Sequence, residues 1–288
     1  MEKRTIGLIY SGRKSKDEEV FARVAKKKDV KTVLINIDRI DEKKLEKTAK
    51  GCDILYNSSA EEFSVELVKT LEELGKKVVD SSKSFYYIEE KWMFYVKCRK
   101  NKIPVPETIL LSQNITAAKE ELIKFNHWPV VLKGVSGTMG EYVEEAETIN
   151  RAEKIIKRFW KEDSERLPII AQEFIKSPSY RVTLIDGKIV QTAIKYNKSG
   201  WKATGVYAKK IGRFAVDKNL SEIIKRLMRF VKIKVCGVDL LKKEGKWLVL
   251  EVNSDPAFDF FEEEREEIIG KVIDFLKKEI THESHEAS

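Results

Sequence analysis

Residues 236–253 read as two strands, Cys236–Leu241 and Trp247–Asn253, joined by the turn Lys243-Glu244-Gly245-Lys246. With Gly245 at the centre of the hairpin, cross-strand partners have numbers summing to 490, so Asp239 faces Glu251, Leu241 faces Val249 and Gly237 faces Asn253. Side chains alternate along a strand, which puts Asp239, Glu251 and Asn253 on one face and Val238, Leu240, Leu248, Leu250 and Val252 on a core face. Directly opposed carboxylates repel unless a proton or a cation sits between them. Hard oxygen donors of this kind suit Mg²⁺, which commonly completes its shell with water and phosphate oxygens. A solvated strand face on which the acids pair with lysines is the alternative.

Other segments could handle an anion. Pro129-Val130-Val131-Leu132-Lys133 ends an apolar strand on a lysine, and three glycines follow in the loop Gly134-Val135-Ser136-Gly137-Thr138-Met139-Gly140. Such a loop can wrap backbone N–H groups around phosphate oxygens while the lysine supplies a point charge; an ordinary glycine-containing connection reads the same way. Lys91 lies in a helix beside Trp92, Phe94 and Tyr95, where a surface lysine is equally expected. Gln172-Glu173-Phe174-Ile175 closes another apolar strand whose backbone could pair with the edge of a base.

These segments need a scaffold, and the pattern supplies one. The chain has 288 residues, enough for one large or two ordinary domains at about 100–200 residues each. The first ~85 residues alternate short apolar runs with amphipathic helices, the pattern of parallel βαβ units. Their first loop, Ser11-Gly12-Arg13-Lys14-Ser15, lacks a glycine-rich phosphate fingerprint. A helix over Tyr87–Asn101 follows, stopped by Ile103-Pro104-Val105-Pro106. Strands at Thr108–Leu111 and Pro129–Lys133 and helices near Thr116 and over Ile149–Trp160 make a smaller α+β unit. A strand-rich region with a helix over Leu220–Val231 then leads to the hairpin and to a last helix, about Glu262–Lys278. The expected division is residues 1–85, 86–172 with the glycine loop, 173–280 with the hairpin, and a frayed tail at 281–288.

Composition narrows the chemistry. Three histidines, His127, His282 and His285, leave little for histidine-based nucleophilic or zinc mechanisms. Cys52, Cys98 and Cys236 are odd in number and far apart, so they read as small buried hydrophobes rather than disulfides. Any chemistry must therefore run on carboxylates, lysines, arginines and backbone amides. The net charge of +8 is spread along the chain without an aromatic-interleaved basic motif, which argues against nucleic-acid binding. No apolar run approaches the roughly 20 residues of a membrane span, and the N-terminus passes into a strand without a signal-peptide core. The expectation is a soluble, cytoplasmic protein.

Taken in chain order, the lysine helix, Pro-x-Pro, strand–lysine–glycine loop, strand-Gln-Glu-aromatic, Asp strand and Glu-x-Asn strand resemble the ATP-grasp superfamily. Its RimK-type ligases, which include the lysine-biosynthesis enzymes of LysX type, are the most similar. The resemblance covers about residues 80–280 and is carried best by Cys236-Gly237-Val238-Asp239, Glu251-Val252-Asn253-Ser254-Asp255-Pro256, Gln172-Glu173-Phe174-Ile175 and Val131-Leu132-Lys133. It implies an ATP-grasp fold after a small parallel α/β domain, with ATP between two subdomains. Lys133 would contact the phosphates with help from Lys91, under a loop bearing Ser136, Gly137 and Gly140. Gln172, Glu173, Phe174 and Ile175 would hold adenine. Asp239, Glu251 and Asn253 would bind Mg²⁺, two ions bridged by Glu251, with Mn²⁺ able to substitute. Arg181 would face phosphate or an acyl intermediate. The implied reaction activates a carboxylate as an acyl phosphate and then joins it to an amine, and the family suggests a dimer or tetramer.

Three departures bear on the acceptor. The acidic residue that usually precedes the strand arginine is replaced by Ser179-Tyr180. The family's Arg-x-Asn corresponds to Lys202-Ala203-Thr204, making Lys202 the candidate catalytic residue there, and the glycine pair after it reads Tyr207-Ala208-Lys209-Lys210. The stretch Lys195–Arg213 also holds Lys198, Tyr196 and Trp201, a basic, aromatic segment that could receive an acidic metabolite, an acidic peptide or a phosphorylated polyol. A carboxylate–amine ligase, adding glutamate or another amino acid, is therefore the first reading. An ATP-grasp kinase of the inositol-phosphate kind and a nucleotide-binding module without turnover are the alternatives.

Overall fold

The computed structural model describes residues 3–59, 61–137, 141–162, 166–196 and 210–286. The N-terminal part folds as β1 (Thr5–Tyr10), α1 (Lys16–Lys27), β2 (Lys31–Asn36), α2 (Glu42–Lys50), β3 (Ile54–Asn57), α3 (Glu62–Glu73) and β4 (Val78–Val79), with a short 3₁₀ turn at Ile37–Arg39. The strands form a parallel sheet in the order β2-β1-β3-β4. Ser15, in the loop after β1, caps α1 reciprocally with Glu18, so that loop serves helix initiation.

One helix was expected over Tyr87–Asn101, but the chain makes two, α4 (Ser82–Glu89) and α5 (Lys91–Lys100). Glu90 between them is extended. The cause is visible in the backbone: the Lys91 N–H donates to Val135 O in the glycine loop at 2.9 Å. The break places Lys91 in the first turn of α5, beside that loop.

Next come β5 (Thr108–Leu110), α6 (Ile115–Phe125), β6 (Val130–Gly134), β7 (Val143–Ala146), α7 (Ile149–Glu162) and β8 (Ile169–Glu173). Asn114 caps α6 by accepting from Thr116 N at 3.0 Å and Ala117 N at 3.1 Å. The four strands form an antiparallel sheet, β5-β8-β6-β7, and α6 and α7 cover one face through Leu122, Ile155, Ile156 and Phe159.

The third sheet comprises β9 (Ser179–Ile185), β10 (Lys188–Tyr196), β11 (Lys210–Gly212), β12 (Val235–Lys243) and β13 (Lys246–Asn253), with α8 (Lys218–Val231) between β11 and β12. Its order is β11-β10-β9-β12-β13, antiparallel throughout. One face packs on α5 and α8 through Phe94, Cys98, Leu220, Ile224 and Leu227. The other face stays free of that core.

The hairpin β12–β13 corrects part of the expected register. Its turn has two central residues, Glu244 at φ 51° and Gly245 at φ 78°, the doubly positive geometry that matches strand twist and favours glycine. Lys243 therefore pairs with Lys246, and Leu241 with Leu248 rather than Val249. A bulge at Leu250 then shifts the ladder by one residue, so Asp239 does face Glu251 and Gly237 does face Asn253. The bulge also exchanges the faces near the turn: Trp247 and Val249 are core, and Leu248 and Leu250 are only half-buried.

The last helix, α9 (Glu262–Glu286), runs beyond the expected end near Lys278. It returns to the first sheet, where Ile268, Ile269, Val272, Ile273 and Leu276 share a core with Val20, Phe21 and Val24 of α1. Cys52, Cys98 and Cys236 are buried and unpaired, as expected. Among the described residues no helix is long and apolar enough to cross a membrane.

Candidate active site

Four strands of the third sheet bring their side chains into one row. Ala193 pairs with Arg181, Arg181 with Asp239, and Asp239 with Glu251. Because side chains alternate with period two, Lys195, Ser179, Gly237 and Asn253 share this face. Arg181 meets Asp239 as a fork: Nε donates to Oδ1 and Nη2 to Oδ2, each at 2.6 Å. Lys195 Nζ lies 3.4 Å from Asp239 Oδ1, and Asn253 Nδ2 donates to Oδ2 at 3.3 Å. Burial alone would raise the Asp239 carboxyl, but Arg181 and then Lys195 outweigh it and hold it down to about 2. The same burial works against Arg181, whose charge Asp239 restores, so its pKa ends above the ordinary value.

Gly237 makes this packing possible. A Cβ there would come within 2.9 Å of Arg181 Cδ and 3.0 Å of its Cζ, and nearer still to Nη1. Only a residue without a side chain lets the guanidinium lie flat along β12.

Opposite this row stands the second sheet. Lys133 on β6 donates to Gln172 Oε1 at 2.8 Å, and Gln172 Nε2 donates to Thr108 Oγ1 at 2.9 Å. Burial lowers Lys133 to about 8, with Glu251 pulling it up and Lys91 pushing it further down. Lys91 donates to Gly137 O at 2.7 Å and is likewise lowered by burial, with Glu251 acting against the shift. Lys91, Lys133, Gln172 and Glu251 line a single cleft whose apolar walls include Val105, Ile170 and Leu250. Gly137 has φ 111°, a conformation open to glycine, and Ser136 beside it is exposed.

Glu173 is occupied. Its Oε1 accepts from Glu107 N at 2.9 Å and its Oε2 pairs with Lys243 Nζ, which ties the hairpin to the second sheet. Phe174 is half-buried and Ile175 buried at the start of the connection to β9. Gly140 and Lys202 lie outside the described residues, as do Lys198, Trp201 and Tyr207. Arg213, at the end of the basic segment, is turned away: it pairs with Glu263 and Glu264 and stacks on Phe261 at 3.8 Å.

Arg181 was expected to face phosphate or an acyl group, and here it holds Asp239. Lys195 was expected as the first residue of a basic, aromatic segment that could receive an acidic acceptor; it is buried, beside Asp239. Strand periodicity carries the signal that finds it, since Lys195 stands two residues after Ala193, the partner of Arg181.

The donor set fits a hard divalent cation. Two opposed carboxylates and an amide supply oxygen ligands. Among the described residues no group of three or more His, Cys, Asp or Glu could hold a metal. A cation here would thus depend on Asn253 and on oxygens arriving with a phosphate. The four cations Lys91, Lys133, Arg181 and Lys195 exceed the two carboxylates, a balance suited to a polyphosphate.

Comparison with known proteins places the chain in a family. Residues 88–276 match the model of the RimK-like ATP-grasp domain. A probable alpha-L-glutamate ligase of Haemophilus influenzae is 23% identical over 227 residues, spanning 77% of this chain and 74% of that protein. One of the same name from Psychromonas ingrahamii is 33% identical over 163 residues, spanning 54% and 52%. Among solved structures, a RimK domain ATP-grasp protein of Sphaerobacter thermophilus superposes with TM-score 0.77 at 16% identity, covering 93% of this chain and 98% of that one. The D-alanine–D-alanine ligase of Bacillus anthracis complexed with ATP superposes with TM-score 0.74 at 19% identity, covering 99% and 100%. These likenesses bear out the fold expected from the sequence.

Proposed function

Since the chain belongs to the RimK-like ATP-grasp family, we propose that it is a Mg-ATP-dependent carboxylate–amine ligase working through an acyl phosphate. The observation that carries this reading is one cleft holding Lys91, Lys133 and Gln172 on one side and Glu251 on the other, with Asp239 and Arg181 next in the row. ATP would lie with its base toward the hinge at Glu173–Ile175, between apolar walls, and its phosphates toward the lysines. Asp239, Glu251 and Asn253 would hold Mg²⁺, which when bound neutralises phosphate charge and aligns the γ-phosphate.

The chain's own residues then do positioning and charge work. Lys133, fixed by Gln172, meets phosphate oxygens. Lys91, fixed by Gly137, draws the glycine loop to the same anion. Arg181 keeps Asp239 ionised and immobile. A substrate carboxylate oxygen attacks the γ-phosphorus, the bond to the ADP oxygen breaks, and an acyl phosphate and ADP result. An unprotonated amine then attacks the acyl carbon, phosphate departs with the bonding pair, and the nitrogen releases a proton to give the amide. The cationic cleft favours an acidic acceptor, either a small molecule or a peptide, and the probable alpha-L-glutamate ligases among its relatives make glutamate the first amine to offer.

The test is a mass balance. Purified protein, ATP and Mg²⁺ are incubated with acidic acceptors and a panel of amino acids, and ADP, phosphate and products are quantified. The expected result is ADP, phosphate and amide in equal amounts. A phosphorylated product without free phosphate would identify a kinase and refute the proposal.

A further inference from the structure

Lys195 is only 1% exposed. Removing an ammonium from water is unfavourable unless a counterion compensates, and the counterion it has is shared. Asp239 is already held by two 2.6 Å bonds from Arg181, whereas Lys195 reaches it through a single contact of 3.4 Å. The residue directly across the β9–β10 ladder from Lys195 is Ser179, which is buried and uncharged. Two cations therefore share the Asp239 carboxylate, with Glu251 adding a favourable charge to both, and their holds on Asp239 are unequal. Arg181 is a planar fork pinned along Gly237, while Lys195 is a point charge on a flexible stem. The ring of Phe260, 5.8 Å from the Lys195 nitrogen, offers a second surface that tolerates a cation.

A divalent ion placed between Asp239 and Glu251 would compete with the weaker of these two cations. We infer that Lys195 is a resident counter-cation of the metal site: it sits on Asp239 while no divalent ion is bound, yields that place to Mg²⁺, and lends its charge to the phosphate oxygens that accompany the metal. The inference rests on Asp239 being a metal ligand, as in the proposed function. It makes metal and nucleotide binding mutually reinforcing, because each improves the position of Lys195 for the other, and such coupling is reciprocal. Lys195 acts here as a positioning residue.

The test is Mn²⁺ binding, followed by the electron paramagnetic resonance of the free ion, with and without ADP. The proteins compared are the wild type, Lys195→Met, Ser179→Asp and Asp239→Asn. Lys195→Met removes the competitor and is expected to bind Mn²⁺ alone on the order of tenfold more tightly, within the usual span of such couplings. Its metal-free ADP affinity falls, and the enhancement of Mn²⁺ binding by ADP shrinks. Ser179→Asp keeps the lysine but gives it a carboxylate across the ladder, so Mn²⁺ affinity moves the same way. A lysine that merely supported the fold would weaken Mn²⁺ binding when lost. Unchanged or weaker Mn²⁺ affinity in Lys195→Met, with the wild type binding the ion, overturns the inference and leaves the proposed function standing. Wild-type Mn²⁺ affinity in Asp239→Asn overturns the metal site beneath both.

Discussion

Adding one methyl group at Gly237 tests the architecture of the site without touching a charged residue. The new Cβ would stand 2.9 Å from Arg181 Cδ and 3.0 Å from Cζ, closer than carbon atoms pack, so the guanidinium must shift, and the prediction is that the shift breaks its 2.6 Å bonds to the Asp239 oxygens. Breaking a buried ion pair costs roughly 3–5 kcal/mol. Alanine is otherwise preferred to glycine inside a strand by roughly 0.5–1 kcal/mol. Gly237→Ala should therefore lose on the order of 3 kcal/mol. The assay is urea unfolding, read as a lower midpoint at unchanged slope. Gly212→Ala is the control, since its Cβ would meet Ile194 Cγ2 at an ordinary 3.4 Å and should be near neutral. Gly237→Ala should also lose ATP turnover, because Arg181 no longer fixes Asp239. A variant as stable as the wild type, or more so, would refute the account of how Arg181 is seated.

Glu251→Gln and Asp239→Asn should each abolish ATP turnover while circular dichroism stays native; wild-type-like rates in both would remove them from the metal site. Lys133→Ala should weaken ATP binding in calorimetry by at least tenfold, as loss of a charge-assisted contact of roughly 1.5–3 kcal/mol requires, and an unchanged affinity would take Lys133 out of the site. The proton on Lys133 sets a pH dependence. Its pKa is lowered from 10.5 to about 8, so it is charged below pH 8 and neutral above. Metal-free ATP affinity should fall between pH 7 and pH 9, and Lys133→Arg should flatten that profile.

How far the sequence reveals this site depends on which interactions are local. The pairing of Asp239 with Glu251 follows from strand periodicity and one turn, yet the assumed turn is off by one residue. The Leu250 bulge cancels the error at the carboxylates but not at the core, where Trp247 and Val249 replace Leu248 and Leu250. Bulges leave no simple compositional mark, so this exchange is invisible before folding. The break at Glu90 is likewise set by a distant backbone partner, Val135 O, and the local pattern reads as one helix. Lys195 shows the same limit: its residue type suggests a surface, and only the strand order β10-β9-β12 carries it to Asp239. Lys133 and Gln172 were each legible as strand-end polar residues, and the β6–β8 pairing joins them.

The most direct measurement of the central claim follows an oxygen atom. With a productive acceptor identified by the mass balance, its carboxylate is labelled with ¹⁸O, the reaction is run with ATP, Mg²⁺ and the amine, and the phosphate released is examined by mass spectrometry. An acyl phosphate requires one labelled oxygen to pass from the carboxylate to phosphate for each amide formed. Unlabelled phosphate, or label retained wholly in the product, would contradict the mechanism assigned to this cleft.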